Sequence, residues 1–163
     1  MPIIRDAGEA DLPRILAITN AAIATTTSVW SWTPATLATR QTWMDERRAR
    51  GFPVLVAEVE GVVQGFASFG AFRAWEGYLH TVEHSLYVDP VAQGRGLGKA
   101  LLVALEAQAR ALGMHVMIGG IEGGNIASLA LHAGAGFKET GRLKEVGRKF
   151  DRWLDLVFMQ KVL

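Results

Sequence analysis

The chain contains no cysteine. Disulfides, zinc–thiolate sites and thiol nucleophiles are therefore excluded. No apolar run reaches the roughly 18 residues of a membrane span. The first residues, MPIIRDAGEADL, lack the basic-then-apolar layout of a signal peptide. Charge of either sign is scarce as a net quantity: +1, with a pI near 8.1. That argues against a large electrostatic footprint for nucleic acid or an anionic membrane. Internal repeats, low-complexity tracts and linkers are missing too. What remains is 163 residues, half of them hydrophobic, enough for one domain (residues 1–163) around one core. A cytoplasmic protein is expected.

The hydrophobic period changes along the chain. Pro2 to Arg5 reads as a strand. Asp11 is placed to cap a helix with Pro13 in its first turn. Thr33-Pro34 opens a second helix, which Gly51 ends in the left-handed conformation; its charged end, DERRAR, reads as a solvated face. PVLVAEV, Glu60-Gly61 and VVQGFASFGAF form a hairpin signal, with Gly65 and Gly70 marking bulges or close backbone approach. HTVEHSLYV is the next strand, stopped by Asp89-Pro90. Gly96 to Leu112 is the clearest helix, with Leu97, Leu101, Leu105 and Leu112 on one face. HVMIGGI is a buried strand, Asn125 to Ala133 a short helix. FKETGRLKEV and RWLDLVFMQKVL are final strands joined through GRKFD. The order β-α-α-β-β-β-α-β-α-β-β predicts an α/β (α+β) fold: a mixed sheet of about six to seven strands with helices on both faces. Trp30 and Trp32, in an aperiodic segment, read as a lid over the core or as a pocket wall.

Glu83 to Lys99 concentrates the chemistry. Gln93-Gly94-Arg95-Gly96-Leu97-Gly98-Lys99 lies between a strand and a helix. Helix-start N–H groups are unpaired and sit at the positive end of the macrodipole. Glycines admit a phosphate to them, and Arg95 and Lys99 add charge. The loop reads as a pyrophosphate cradle, or as a glycine-rich turn without a ligand. It is not a Walker A loop, because Ala100 follows Lys99, nor a G-x-G-x-x-G fingerprint, which would need glycine at Lys99.

Gln93-x-x-Gly96-x-Gly98 resembles the Q/R-x-x-G-x-G/A acetyl-CoA loop of the GNAT N-acetyltransferases. Asn125 with His132 seven positions on, then Gly136-Phe137, resembles that family's later motif. TVEHSLYV, HVM, Leu131-His132 and VGRKFDRWLDLVFMQ are similar to the phosphinothricin/methionine sulfoximine acetyltransferases within it. The resemblance covers essentially the whole chain. It implies a GNAT fold with the sheet splayed at the acetyl-CoA site, between strands ending near Val88 and starting near His115. It also implies acetyl-CoA as co-substrate without a metal, a small amino-acid-like amine as acceptor, and a homodimer. By the same resemblance, backbone groups of Leu86, Tyr87 and Val88 pair with the pantetheine arm. Gly94, Arg95, Gly96, Leu97, Gly98 and Lys99 hold the pyrophosphate, and Asn125 and Gly134 contact the cofactor. Arg73, Ala74, Trp75, Glu83, His84 and Ser85 form the acceptor site.

An amine must be neutral to attack a thioester, so a carboxylate near it can serve as base. Glu83 is the candidate; anchoring of the strand bend is its alternative role. His132, with a reference pKa near 6.5, is the candidate general acid, standing where many GNAT enzymes have tyrosine; a helix-surface histidine is its alternative. Strand alternation sends His84 to the face opposite Glu83. An arginine fork at Arg73 suits an α-carboxylate. Ala71-Phe72 replaces the subfamily's Asp-Trp, and Asp151 its glycine. A non-catalytic acyl-CoA-binding module and a GNAT enzyme with another amine acceptor are the competing readings.

Overall fold

The computed structural model describes all 163 residues. Seven strands alternate with four helices in the expected order: β1 (Ile3–Asp6), α1 (Leu12–Thr25), α2 (Leu37–Ala49), β2 (Val54–Val59), β3 (Val62–Ala71), β4 (Thr81–Val88), α3 (Leu97–Ala111), β5 (Val116–Glu122), α4 (Ile126–Gly134), β6 (Lys138–Lys149) and β7 (Arg152–Val162). One sheet contains all the strands, in the order β1-β2-β3-β4-β5-β7-β6. Only β4 and β5 run parallel.

The apolar stripes put a layer on each face. Leu97, Leu101, Leu102, Leu105 and Ala109 of α3 bury against Ala67, Phe69, Val82, Met117 and Val157. Each leucine removed from water contributes about 1.5–3 kcal/mol. Leu112 falls just beyond the last helical turn and is exposed, so the predicted stripe is one residue shorter. On the other face, Ile15 and Ile18 of α1 and Met44 of α2 pack on Val56 and Phe66.

Several local readings shift. Asp11 precedes α1 but does not cap it; its carboxylate accepts from Arg5 at 2.7 and 2.9 Å and from the Gly8 N–H at 2.7 Å. The second helix starts at Leu37, not at Pro34. Thr36 and Thr39 exchange reciprocal backbone–side-chain hydrogen bonds in a capping box, while Asn20 holds Ala35 outside the helix through both its backbone groups. Gly51 ends that helix at φ 71° as expected. Gly65 does both things foreseen for it. The β2–β3 register skips a residue between Ala57/Gly65 and Glu58/Val63, and a Cβ on Gly65 would stand 3.0 Å from the Tyr87 carbonyl.

The last two strands join through two residues rather than five. Phe150 and Asp151 have φ of 51° and 58° and β6 runs on to Lys149, a geometry that matches tight hairpin twist. Trp30 is neither a lid on the core nor a wall of the main cleft: its ring lies on the bare backbone of Gly147, while Trp32 is exposed.

Candidate active site

The parallel ladder between β4 and β5 is short. It pairs Thr81 to His84 with Val116 to Gly119 and then stops. Beyond that point the strands diverge, and the wedge between them opens into a cleft of about 530 Å³. Leu86 and Val88 line one wall, Gly120 and Ile121 the other; Gly94, Gly96 and Gly98 close one end and Asn125, Ser128 and His132 another. Thr26 and Ser28, after α1, reach in as well.

The free edge of β4 offers hydrogen bonds there. The Asp89 N–H donates to the Gln64 carbonyl of β3 at 2.8 Å. By alternation Ser85 and Tyr87 also spend their backbone groups on β3, and Leu86 and Val88 turn theirs into the cleft. The Tyr87 side chain is not part of the cleft chemistry: it packs on Phe66 with ring centroids 5.3 Å apart, and burial pushes its phenol pKa up.

The glycine loop sets the start of α3. Gly96 is the N-cap at φ 81°, a left-handed conformation that favours glycine. It offers no side chain to the helix start, so the N–H groups of Leu97, Gly98 and Lys99 remain free; the first intrahelical bond runs from the Ala100 N–H to the Gly96 carbonyl. This is the anion-binding arrangement of helix N-termini. Gly98 serves a different purpose. A Cβ there would lie 3.2 Å from Leu131 and 3.6 Å from Leu86, so its bareness lets α3 approach α4 and β4. Asn125 caps α4, its side-chain carbonyl accepting from the Ser128 N–H at 3.2 Å. Its amide N–H groups are left for a ligand.

Glu83 lies on the α1/α2 side of the sheet. Its register partners are Gly70 on β3 and Ile118 on β5, and its Oε2 is 3.5 Å from the place a Gly120 Cβ would occupy. The carboxylate thus stands at the edge of the cleft that Gly120 lines. Burial raises its pKa, and the positive charge of Arg73 partly opposes this.

Arg73, Ala74 and Trp75 line a different hollow, of about 700 Å³, beyond the end of β3. Arg73 is exposed and lies over the Phe72 ring at 4.5 Å, so its bearing on Glu83 is electrostatic. Phe72, one of the subfamily departures, is held edge-on by Tyr78 and Phe158. Arg95 and Gly134, both read from sequence as cofactor contacts, do not line the cleft.

His84 and His132 meet on the opposite side, at the apex of the wedge. Their Nε2 atoms are 2.8 Å apart; His84 Nδ1 lies 3.0 Å from the Ile118 carbonyl and His132 Nδ1 2.7 Å from the Ser128 carbonyl. Both rings are buried. Burial lowers both pKa values, His84 to about 3 with the neighbouring His132 adding to the effect. Strand alternation separates His84 from Glu83 as expected, but its pairing with His132 had no signal in either local motif.

Sequence reasoning also missed Arg47. It belongs to the stretch taken as a solvated face, yet it is half-buried, with its guanidinium against Gly70 and its Nε unpartnered. Burial lowers its pKa. The bare position at Gly70 was the available sign that a long side chain crosses there.

A splayed parallel pair, a free strand edge and an uncapped glycine-flanked helix start form one continuous cleft. The model of the acetyltransferase (GNAT) family matches residues 15–137. The chain belongs to this family. As a GNAT acetyltransferase it resembles several characterised or solved proteins over nearly its full length. It is 54% identical over 158 residues to the L-methionine sulfoximine/L-methionine sulfone acetyltransferase of Pseudomonas aeruginosa, covering 96% of this chain and 92% of that protein. An acetyltransferase from Salmonella typhimurium, solved with its cofactor acetyl-CoA, is 47% identical with a TM-score of 0.97, covering 99% and 94% of the two chains. A ribosomal-protein-alanine N-acetyltransferase from Brucella melitensis is 53% identical with a TM-score of 0.97, covering 99% of each. The chain is an N-acetyltransferase with a seven-stranded mixed sheet.

Proposed function

We propose that this enzyme acetylates the α-amino group of a small amino-acid-like acceptor of the methionine sulfoximine, methionine sulfone or phosphinothricin type, with acetyl-CoA as donor. The observation that carries the reading is the position of Glu83: a half-buried carboxylate of raised pKa, beside bare Gly120 at the cleft edge.

In this reading the N–H groups of Leu97, Gly98 and Lys99 receive the pyrophosphate of the donor, and the backbone groups of Leu86 and Val88 hold its extended arm. The Leu86 N–H, turned into the cleft, is placed to stabilise negative charge on the thioester oxygen. Glu83 removes a proton from the acceptor ammonium, whose reference pKa is about 7.7–8.0 in a peptide. Loss of that proton frees the nitrogen lone pair for attack. The raised pKa of Glu83 narrows the gap between base and ammonium, which favours transfer at neutral pH. Arg73 draws the acceptor carboxylate to the end of β3, near enough to bear on Glu83.

The named relatives diverge in acceptor, one a methionine derivative and one a ribosomal-protein alanine. The cationic setting favours the former. Arg73 and half-buried Arg47 flank Glu83's face of the sheet, and the side chain of neither pairs with a carboxylate. A free amino acid brings the carboxylate that an N-terminal residue has lost to its peptide bond. The test is CoA-thiol release over a panel of amines. Turnover of methionine sulfone or sulfoximine far above that of an Ala-initiated peptide supports the reading; the reverse order overturns it.

We further propose that the enzyme works as a cytoplasmic homodimer. Exposed Leu143, Val146 and Trp153 on the β6–β7 hairpin, with Phe150 at its tip, supply apolar surface for a second copy. Sedimentation at a monomer's mass would refute this.

A further inference from the structure

The His84–His132 contact has a proton count that two neutral imidazoles do not satisfy. The ring nitrogens make three close contacts and one longer one, Ser128 Oγ to His132 Nδ1 at 3.4 Å, which is secondary to the carbonyl of the same serine at 2.7 Å. His84 Nδ1 faces the Ile118 carbonyl at 3.0 Å, and His132 Nδ1 faces the Ser128 carbonyl at 2.7 Å. A carbonyl oxygen only accepts, so each Nδ1 carries hydrogen. The two Nε2 atoms face each other at 2.8 Å. Two lone pairs at that distance repel; one hydrogen between them makes a hydrogen bond. The arrangement therefore holds three hydrogens, whereas two neutral rings carry two. The surplus proton brings one positive charge.

We propose that His84 and His132 act as a single-charge pair: His132 as imidazolium, His84 as a neutral ring accepting from it. The pair thereby fixes one positive charge at the apex of the acetyl-CoA cleft, where negative charge develops on the thioester. Placement decides which ring is charged. Burial lowers the His132 pKa, but three features oppose it: the Ser128 carbonyl accepts from its Nδ1, His84 Nε2 faces its other nitrogen, and its place in the last turn of α4 puts it at the negative end of the macrodipole, which favours a cation. His84 is in the sheet, and burial together with the neighbouring ring holds it neutral. Other charges bear little on the pair. Glu83 leaves β4 on the opposite face, β5 presents only glycine and backbone at the contact, and α4 supplies His132 alone. Lys99 stands among the pyrophosphate-binding groups of the same cleft.

The pair gives no proton away. Every ring N–H is directed at a protein acceptor, so none points at the departing sulfur. The acceptor ammonium loses two protons in becoming an amide. Sulfur takes one as CoA leaves, by way of Glu83 and water, and the other passes to solvent. The charge on the pair persists through the cycle and stabilises the oxyanion and then the thiolate by field alone. The pair also explains where the strands part. His84 is the last β4 residue paired to β5, and its ring takes the Ile118 carbonyl just where the ladder ends.

This inference rests on the cleft being the acetyl-CoA site, and its test separates the two claims. Nitrogen-15 NMR of histidine-labelled wild-type protein reads the proton inventory directly, with no substrate present. At pH 7 the expected result is both nitrogens of one ring and Nδ1 alone of the other protonated, three N–H in all. Two N–H in all, one per ring, overturns the proposal whatever the enzyme acetylates. His132→Gln removes the charge. At saturating substrates kcat should fall about 10- to 10²-fold, less than the ~10²–10³ lost with a direct oxyanion-hole donor. Any alkaline decline of wild-type kcat that follows loss of the surplus proton in the NMR titration should vanish in this variant. A folded His132→Gln enzyme with wild-type kcat and an unchanged alkaline profile refutes the catalytic part. If the variant does not fold, the wild-type comparison of NMR titration with kcat decides: kcat indifferent to loss of the surplus proton refutes it equally.

Discussion

Replacing Glu83 by glutamine keeps the shape of the side chain and removes its ability to take a proton. General-base catalysis contributes typically 10²–10⁴-fold, or about 2.7–5.4 kcal/mol of barrier at 1.36 kcal/mol per tenfold. Glu83→Gln should therefore lower kcat at least ~10²-fold at neutral pH while acetyl-CoA binding, measured by calorimetry, is retained. The pH profile carries a second, independent signature. The base works only when ionised, so kcat/KM for the native enzyme rises with pH through the Glu83 pKa. Burial places that limb above the ordinary carboxylate range, and the positive charge of Arg73 holds it lower than burial alone would. Arg73→Ala removes the opposing charge, so the limb should move to higher pH; in Glu83→Gln it should disappear. The assay is initial-rate CoA-thiol release between pH 5 and 9 at saturating acetyl-CoA. Near-native kcat in Glu83→Gln, or an acid limb that survives the substitution unchanged, refutes the assignment of Glu83 as base.

The other variants address acceptor binding, packing and the cleft's support. Arg73→Ala should also raise the acceptor KM with a smaller change in kcat, since it removes binding rather than chemistry; steady-state kinetics with methionine sulfone checks this. Gly65→Ala puts a Cβ 3.0 Å from the Tyr87 carbonyl and 3.3 Å from Leu101. Backbone does not yield as a side-chain tip does, so urea unfolding should show a loss of about 1–3 kcal/mol. Lys149 is buried, and its Nζ donates to the carbonyls of Ile23, Thr26 and Val29 at 2.6–2.7 Å. Lys149→Met strands those acceptors at the end of α1, and urea unfolding should show about 1–3 kcal/mol of lost stability. Hydrogen exchange should be faster at residues 26–29, which adjoin the cleft.

The order of elements was legible because it rests on period and punctuation. The α3 stripe, the Glu60-Gly61 turn and the stop at Asp89-Pro90 are local signals; the turn and the stop stand where the sequence put them, and the stripe does so up to Leu112, which falls outside the helix. Boundaries drifted where a side chain made a choice that local patterns do not encode. Thr36 outcompetes Thr33 as a helix cap because Thr39 answers it, and Asp11 abandons capping because Arg5 is within reach. The glycine loop was readable as an uncapped helix start, but Gly98 has a packing duty visible only once α4 is in place. The longest-range features were the least accessible. His84 and His132 are 48 residues apart, and Arg47 reaches Gly70 from a helix whose composition signals only solvent. Phe72 and Asp151, departures from the subfamily pattern, prove accommodating: one sits in an aromatic cluster and the other adopts the left-handed turn conformation.

The central claim is acetyl transfer to the amine of a carboxylate-bearing small molecule, with Glu83 as base at the edge of the β4–β5 cleft. Mass-spectrometric detection of N-acetylated methionine sulfone, from paired reactions of the native enzyme and Glu83→Gln, tests it most directly. The native protein should give stoichiometric N-acetyl product and CoA, and the variant at least ~10²-fold slower formation. Acetyl-CoA binding without product from any carboxylate-bearing amine would contradict it.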